Sequence, residues 1–504
     1  MASTATVLQR VRAWQQAVPG LDGGALALVI IFLLLLPIST PRIYATDEVQ
    51  YYSYLRSVYF DGDLDFRNEY EHFAAIGQQN GDPAIYNALL RDNPADPPVN
   101  PDTGLLRNVA PIGSALLWSP GFVIADVAVR IANAAGATIP ADGFSRPYIW
   151  ATCFMSALYA FLGMLLSYRL ARRYAGTVAA ALAAALLWLA SPLVFYSVIA
   201  MPWSHAPGLF AFALFLTIWL GSDERPLVAR LAQGPLSIWA LLGVVGGLMV
   251  MTREQLGLFL LLPAIEGLVA YGRILFGRAN LPTGTTRAGL FGRLFGAHLL
   301  FLVCLIAAVS PQLLTYQILN GIPLPSSTVA GKLESAGGFS PHFFDTLIHP
   351  RHGAFLWSPV LVPALLGFGW LARRDALLAG LCLLGFVAQT YINGAFGSTW
   401  HLTGAFGFRR LIECTPLFVL GLAALLHWLH GRVGLWPLLL ASAVLIGWNI
   451  GLIAQWTIVR PELRKGLIWE GMLYYQLVEV PQQVAARFFD LLFNRCRLVQ
   501  NQNC

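Results

Sequence analysis

Asp47 and Glu48 form an acidic pair shortly after the first long apolar run of the chain, residues 21–36. Ionisable side chains at the edge of a membrane segment are costly, which makes them candidates for function. A carboxylate within hydrogen-bond reach of a hydroxyl can remove its proton as a general base. We therefore predict that Asp47 is a catalytic base, with Glu48 as its catalytic neighbour and Tyr51 as a substrate contact. The open alternative is that both acids only cap a helix that starts here, because acids favour helix N-termini.

Arg253 and Glu254 stand between two later apolar runs, at the end of the segment 247–254. Arginine suits phosphate recognition because its planar fork can bind two oxygens at once. We predict that Arg253 binds a substrate phosphate and that Glu254 contacts the same substrate. The alternative is that Arg253 is only an anchor at the membrane interface.

His401, Arg409 and Arg410 lie in an aromatic and glycine-rich segment that precedes the apolar run at 412–429. Positive charge concentrates on the cytoplasmic side of membrane proteins, yet this arginine pair falls on the other side in the topology derived below. A bound phosphate would explain its position, so all three residues are predicted to contact substrate. The alternative is an ion pair with Glu413.

Weaker candidates lie in the remaining polar segments. His205 and Lys332 are predicted to contact phosphate or sugar, although either can be an ordinary interface residue. The acids Asp61, Asp63 and Asp65 can in principle bind a divalent cation through hard oxygen ligands, but a turn with local side-chain hydrogen bonds is the favoured interpretation. No cofactor is therefore predicted, and a requirement for Mg²⁺ or Mn²⁺ stays open.

The composition indicates which kind of protein carries these residues. Of the 504 residues, 57% are hydrophobic and 12% are charged, whereas soluble domains carry about 25% charged residues. The apolar runs are continuous and reach the length of about 20 residues that a spanning helix needs. The chain is therefore predicted to be an all-α integral membrane protein rather than a β-barrel. The net charge of +6 arises mostly from arginines in short loops, which is a topology signal and gives no reason to expect nucleic acid as a partner.

Eleven apolar runs are predicted to be membrane helices. They are residues 21–40, 148–169, 176–192, 206–220, 236–251, 255–271, 294–316, 355–372, 375–391, 412–429 and 434–456. Arginines in the short loops between them all fall on one side, the predicted cytoplasmic side, if residues 112–134 do not cross the membrane. We therefore predict that 112–134 is a re-entrant or interfacial helix. The alternative is a true span, which would invert the topology of everything that follows.

This topology divides the chain into a membrane domain, residues 1–456, and an amphipathic C-terminal tail, residues 457–504. Within the membrane domain, residues 41–147 form a long first extracytoplasmic loop with interfacial or re-entrant helices, and residues 318–354 form a second large outer loop. Within the tail, residues 467–492 are predicted to lie along the membrane surface. It also holds Cys496 and Cys504, whose spacing leaves open whether they pair.

The order of these motifs resembles the GT-C superfamily of polytopic glycosyltransferases. The resemblance rests on the acidic pair after the first helix, the long first outer loop, Gly-Leu-x-x-x-Thr-Arg at 247–253, and Phe-Gly-x-Arg-Arg at 406–410 before a proline-containing helix. It covers roughly residues 20–430 and is nearest to the branch of protein O-mannosyltransferases and lipid A aminoarabinose transferases. The large C-terminal domain of some branches has no counterpart in this sequence.

The resemblance implies a bundle of about 11–13 transmembrane helices and an inverting enzyme. Its donor would be a polyprenyl-phosphate-linked sugar and its acceptor an extracytoplasmic glycan, lipid or protein, with Asp47 as general base and Arg253 near the donor phosphate. The implied location is the bacterial inner (plasma) membrane, with the site facing the periplasm or exterior. A lipid or glycan transporter or flippase is the alternative, but it would call for repeats or broken helices near the membrane midplane.

Overall fold

The computed structural model of the protein describes residues 22–93, 97–221, 235–279, 284–326, 329, 331, 333 and 337–493. Regular structure in these ranges is helical, apart from one isolated bridge between Val99 and Leu106. Seven helices in these ranges are long and apolar enough to cross a membrane, and four shorter apolar helices accompany them. The prediction of an all-α membrane protein is confirmed.

The α-helices of the described ranges follow the predicted apolar runs closely. In chain order they are α1 (Gly23–Leu35), α2 (Thr46–Arg56), α3 (Arg67–Gln79), α4 (Ala84–Leu89), α5 (Gly113–Ala134), α6 (Arg146–Leu189), α7 (Pro192–Val198), α8 (His205–Leu220), α9 (Ser237–Thr252), α10 (Leu261–Leu275), α11 (Arg287–Asn320), α12 (Asp345–Ile348), α13 (Ala354–Trp357), α14 (Leu361–Leu366), α15 (Phe368–Leu371), α16 (Ala376–Gly394), α17 (Thr415–Val433), α18 (Leu435–Ala454), α19 (Met472–Tyr474), α20 (Val480–Ala486) and α21 (Phe488–Phe493). Short 3₁₀ segments, Glu254–Leu260 and Arg409–Cys414, lead into α10 and α17. The predicted span 355–372 is not one helix, because it is divided among α13, α14 and α15.

Helix α6 corresponds to two predicted spans joined by a sharp turn. Gly176 interrupts it with φ +74° and ψ 172°, a conformation that glycine adopts without the steric cost of a Cβ atom. The two arms then run back along each other, since the rings of Phe161 and Trp188 lie 6.4 Å apart on either side of the turn. Arg172 and Arg173 lie just before the turn and contact Asp22 and the carbonyl of Gly221. This end of the bundle is therefore rich in arginine.

The segment between α1 and α6 begins and ends at the other end of the bundle, which we call the site end. Helix α1 starts beside the turn of α6, where Tyr168 donates a 2.5 Å hydrogen bond to Asp22. Beyond α1, the carbonyl of Arg42 lies 3.8 Å from Sγ of Cys153, near the start of α6. Both ends of 41–145 therefore lie at the site end, as the prediction for 112–134 requires. Helix α5 is nevertheless long enough to span a bilayer, so its depth in a membrane stays a prediction.

Residues 41–145 form most of a second hydrophobic core, made mainly of aromatic side chains. Tyr52, Phe66, Tyr70, Trp118 and Phe122 are fully or almost fully buried in it. The edges of these rings pack against the faces of their neighbours, for example at 5.9 Å between the centroids of Tyr52 and Phe122. This core fixes α2 as a rigid element, and α2 carries the acidic pair.

The first part of the tail contacts the rest of the protein. Residues 461–467 pack back onto the site end: the N–H of Leu467 donates to the carbonyl of Arg351 at 2.8 Å, and Leu463 is fully buried. Residues 472–493 are more exposed, and the apolar side chains of Leu473, Leu477 and Phe489 are mostly accessible to solvent. Their position at a membrane surface stays a prediction, and Cys496 and Cys504 lie outside the described residues.

The topology gives a direct labelling prediction. Single cysteines at the exposed residues Asp102 and Phe339, in a background without the native cysteines, should react with a membrane-impermeant thiol reagent in whole cells, after outer-membrane permeabilisation where such a membrane exists. A cysteine at Arg374, next to the start of α16, should react only after lysis. The opposite labelling pattern would show that the predicted orientation is inverted.

Candidate active site

Asp47 lies in the first turn of α2, and its carboxylate faces open space at the site end. The side chain is 43% exposed and its Oδ2 accepts a 3.0 Å hydrogen bond from Nη2 of Arg409. The Arg409 guanidinium also stacks 3.9 Å over the ring of Trp203. This ion pair separates two cavities, because Asp47, Trp203 and Arg409 line both of them.

The first of these cavities, which we call the polar cavity, has a volume of about 160 Å³. It is lined by Asp47, Tyr51, Val109, Pro111, Trp203, Ser204, His205, Arg253, Glu254, Gln255, Phe396, Arg409 and Arg410. Seven of the predicted site residues therefore meet around one space, although they come from four distant parts of the sequence.

A buried ionic cluster forms one wall of the polar cavity. Glu413, 1% exposed, forms an ion pair with Arg253, 3.3 Å from its Nε, and lies 2.9 Å from Nδ1 of the fully buried His205. Nη1 of Arg253 is 2.9 Å from the same ring nitrogen, and its Nη2 donates to Gln255 at 3.2 Å. The glutamate considered above as the partner of Arg409 and Arg410 therefore pairs with Arg253, which is held rigidly at the edge of the cavity.

Arg410 is in a different situation from the other two arginines of the polar cavity. Its Nη2 donates to Oγ1 of Thr399 at 3.3 Å, and its guanidinium packs 4.7 Å over the ring of Phe396. Nη1 is shielded from solvent and has no hydrogen-bond partner, and among the described residues no carboxylate pairs with this side chain. A buried donor without an acceptor is costly, so an anion in the cavity would satisfy Arg410.

Glu254 lines the polar cavity next to Arg253, and Tyr316 of α11 donates a hydrogen bond to its carboxylate. Tyr51 lines the same cavity and donates to Oγ of Ser204 at 2.9 Å. His401 lies elsewhere: its ring contacts Thr403 and packs near His352, and it is not among the residues that line either cavity. Lys332 lies outside the described residues.

Glu48 adjoins Asp47 in sequence but points away from both cavities. It is fully buried, its Oε2 accepts from the N–H groups of Tyr44 and Ala45 at 2.8 and 3.0 Å, and its Oε1 accepts from Nε1 of Trp203 at 2.6 Å. Burial raises the pKa of Glu48 to about 7, against the effect of these donors and of Arg42. The third residue of a helix often reaches back to the N-cap in this way. Through these hydrogen bonds Glu48 holds Trp203 and the start of α2 in place.

Glu48→Gln should lower the stability of the protein more than it lowers the rate of sugar transfer. The amide keeps one acceptor oxygen, so at least one of the three N–H groups loses its partner, at a cost of about 1–3 kcal/mol. We expect a lower melting temperature in detergent with the affinity for substrate lipid largely retained. Unchanged thermal stability together with complete loss of activity would instead assign Glu48 a direct catalytic role.

The acidic side chains at 61–65 form contacts with neighbouring residues of the protein. Asp61 pairs with Arg56 and accepts from Asn68, while Oδ1 of Asp63 accepts from the N–H of Asp65 at 3.1 Å. This bears out the interpretation as a turn. In the described part of the chain no group of three or more His, Cys, Asp or Glu side chains is placed to hold a metal ion. At the site itself Asp47 and Glu413 are paired with arginines, and the requirement for Mg²⁺ or Mn²⁺ stays an open prediction.

The second cavity, which we call the aromatic cavity, has a volume of about 260 Å³ and lies on the other side of the Asp47–Arg409 pair. It is lined by Tyr44, Ala45, Thr46, Asp47, Phe195, Tyr196, Ala200, Trp203, Thr403, Gly404, Ala405, Arg409, Trp456 and Arg464. Its walls consist of aromatic rings, backbone atoms and one further arginine, Arg464. Asp47 is thus reachable from two separate spaces.

The sequence analysis missed several residues of this site. Gln255 follows the predicted pair Arg253 and Glu254 directly, and the proximity alone could have suggested it. Trp456 and Arg464 lie near or within the predicted tail, and no motif in the sequence links them to Asp47. Only the folding of the tail onto the site end brings them there.

No protein-family profile and no curated protein matches the chain. Among solved structures it is similar to the oligosaccharyltransferase of Archaeoglobus fulgidus in complex with Zn and sulfate, with 16% identity, a TM-score of 0.41, and coverage of 84% of this chain and 52% of that one. It is also similar to the oligosaccharyltransferase AglB of the same organism, in complex with an inhibitory peptide and a dolichol-phosphate, with 14% identity, a TM-score of 0.44, and coverage of 85% and 54%. The chain spans about half the length of these structures. Likeness at this level does not establish a shared fold or activity.

Proposed function

We propose that this protein is a membrane glycosyltransferase of the GT-C class that uses a polyprenyl-phosphate-linked sugar. The observation that carries the proposal is the position of Asp47, whose partly exposed carboxylate lies between a cavity with three arginines and a cavity with aromatic walls. An enzyme that joins two substrates needs a base that both substrates can approach.

In this proposal the donor phosphate occupies the polar cavity and the acceptor enters the aromatic cavity. Asp47 removes the proton from the acceptor hydroxyl as its oxygen attacks the anomeric carbon. The bond from that carbon to the phosphate oxygen breaks, and the polyprenyl phosphate leaves with the electron pair. Arg253 and Arg410 stabilise the negative charge on the departing phosphate. Attack from the face opposite the phosphate inverts the anomeric configuration.

The lipid donor agrees with the rest of the architecture. A sugar on a polyprenyl phosphate reaches the site from the bilayer, so no soluble nucleotide-binding domain is required. We further propose that residues 41–147 and 318–354 face the exterior of the plasma membrane of a bacterial cell. The acceptor is then an extracytoplasmic glycan, lipid or protein.

The test is a transfer assay with the protein in nanodiscs. A panel of polyprenyl-phosphate hexoses, pentoses and aminosugars is supplied with a cell-envelope extract as acceptor, and nucleotide sugars serve as the control donors. We expect transfer from one lipid donor with inverted configuration, read by NMR of the product. Transfer from a nucleotide sugar alone, or with retained configuration, would contradict the proposal.

A further inference from the structure

Arg464 is a charged residue of the aromatic cavity to which the proposed reaction gives no role. It lines the cavity, and its guanidinium stacks 4.6 Å from the centroid of the Trp456 ring. Its Nε is shielded from solvent and has no hydrogen-bond acceptor in the described part of the chain. The ring of Trp456 covers the flat face of the guanidinium, but the N–H of Nε, which points along the guanidinium plane, has no acceptor there.

The charges around the aromatic cavity do not balance. Asp47, Arg409 and Arg464 are the charged residues in its lining, and Asp47 is already paired with Arg409 at 3.0 Å. Arg464 is therefore a positive charge without a counter-charge in the wall. Arg42, which stacks 4.0 Å over the ring of the lining residue Tyr44, acts on the buried carboxylate of Glu48 and lowers its pKa, so it leaves Arg464 as the unbalanced cation. Arg42 is only 8% exposed, and none of its guanidinium nitrogens has a hydrogen-bond partner within the described ranges.

The backbone of Arg464 is held by hydrogen bonds, while its side chain is held by the stacking on Trp456. Its carbonyl accepts a 2.7 Å hydrogen bond from the N–H of Gly404, another lining residue, and the neighbouring Lys465 carbonyl accepts from Nε2 of His352 at 2.9 Å. Leu463 is fully buried beneath this turn. The guanidinium is thus presented to the cavity by a fixed backbone, and the side chain remains available for a ligand.

The other walls suit the ring of a sugar. Phe195, Tyr196 and Trp456 line the cavity as a largely buried aromatic wall, in which the rings of Phe195 and Trp456 pack edge to face with 4.9 Å between their centroids. Aromatic rings pack well against the apolar faces of such ligands and leave the polar edges to hydrogen-bonding groups. Hydroxyl oxygens of a neutral ligand can accept from Arg464 but leave its charge without a counter-charge, whereas a carboxylate or phosphate supplies that charge and accepts strongly from an arginine fork.

We propose that the aromatic cavity selects an acceptor that carries an anionic group, a carboxylate or phosphate, and that Arg464 is the residue which recognises this group. The proposal rests on the proposed function, since it assigns the aromatic cavity to the acceptor. It makes Arg464 a specificity-determining residue, distinct from the arginines that face the donor phosphate across the Asp47–Arg409 pair.

The test measures binding, so it does not depend on transfer. Methyl β-glucuronide, methyl β-glucoside and methyl β-glucoside 6-phosphate are compared by saturation-transfer NMR on the protein in nanodiscs, with and without added polyprenyl phosphate. Arg464→Gln removes the charge and keeps the backbone contacts, and Arg464→Lys keeps the charge without the fork. Lys465→Gln is the matched control, because it removes a neighbouring exposed cation that lines neither cavity.

We expect at least one anionic probe to bind the unmodified protein about ten- to hundredfold more tightly than the glucoside. Arg464→Gln should abolish this preference, Arg464→Lys should keep part of it, and Lys465→Gln should leave it intact. Equal binding of all probes, no binding of the anionic probes at millimolar concentration, or an unchanged preference in Arg464→Gln would overturn the proposal.

Displacement of the anionic probe by polyprenyl phosphate would also overturn it, because the aromatic cavity would then hold the donor. The two proposals fail separately. Selective anion binding at Arg464 without transfer from any lipid-linked sugar would refute only the glycosyltransferase assignment. Inverting transfer without that selectivity would refute only the assignment of Arg464.

Discussion

Asp47→Asn should abolish sugar transfer while the protein still folds and binds the donor. The amide cannot take a proton from the acceptor hydroxyl, and loss of a general base typically costs about 10²–10⁴ in rate. The asparagine side chain keeps an oxygen that can accept from Arg409, which also stacks on Trp203, so we expect the fold to survive the change. The measurement is the rate of transfer from the active polyprenyl-phosphate sugar by the purified variant.

The control for this prediction is Asp82, another aspartate within residues 41–145. Asp82 is exposed and its Oδ1 accepts from the N–H of Ala84 at 3.0 Å. Asp82→Asn keeps an oxygen for this contact and should transfer sugar at the normal rate. Near-normal turnover in Asp47→Asn would remove Asp47 from the mechanism. Glu254, the other carboxylate that lines the polar cavity, would then be the base to examine.

Arg410→Gln should weaken binding of the donor lipid by about ten- to hundredfold without lowering the melting temperature. A charge-assisted hydrogen bond to phosphate is worth about 1.5–3 kcal/mol, and each 1.4 kcal/mol is tenfold in affinity. The described residues offer no carboxylate to Arg410 and its Nη1 is unpaired. Removal of this charge therefore breaks no ion pair. Lost affinity with retained stability is what a residue kept for a ligand should show.

Arg253→Ala should lose a similar amount of donor affinity but should also destabilise the protein. Its removal leaves Glu413, 1% exposed, with only His205 beside it, which should cost on the order of 2–3 kcal/mol. Arg253→Lys should recover part of the affinity, because the point charge survives but the fork does not. Affinity is measured in nanodiscs for a polyprenyl phosphate and for the phosphate-free prenol. If either variant weakened both lipids equally, that arginine would not be a phosphate ligand.

The sequence by itself determined the class of protein and the positions of most of its apolar helices. Continuous apolar runs must be helical in a bilayer, since their backbone groups have no other partners there. For this reason α8, α9, α16 and α18 begin and end within a few residues of the predicted runs. The same patterning located Asp47, because a carboxylate immediately after the first span stands out against an apolar background.

Ion-pair partners were decided only by the tertiary structure. Arg409 pairs with Asp47, 362 positions away in the sequence, and Glu413 pairs with Arg253 and not with the adjacent arginines. Successive residues of a helix point about 100° apart, which is why Asp47 faces the cavities while Glu48 is buried behind them. Periodicity predicts this angle, but it does not say which direction faces the site.

The aromatic cavity depends on how the C-terminal part of the chain returns to the site end. Arg464 belongs to a segment whose composition indicated only an amphipathic tail, and hydrogen bonds to Gly404 and to the loop around Arg351 bring it to the aromatic cavity. Backbone hydrogen bonds between distant segments leave no periodic trace in a sequence. The residues of the polar cavity could therefore be predicted from their chemistry, whereas the positions of Trp456 and Arg464 in the aromatic cavity were fixed by long-range packing alone.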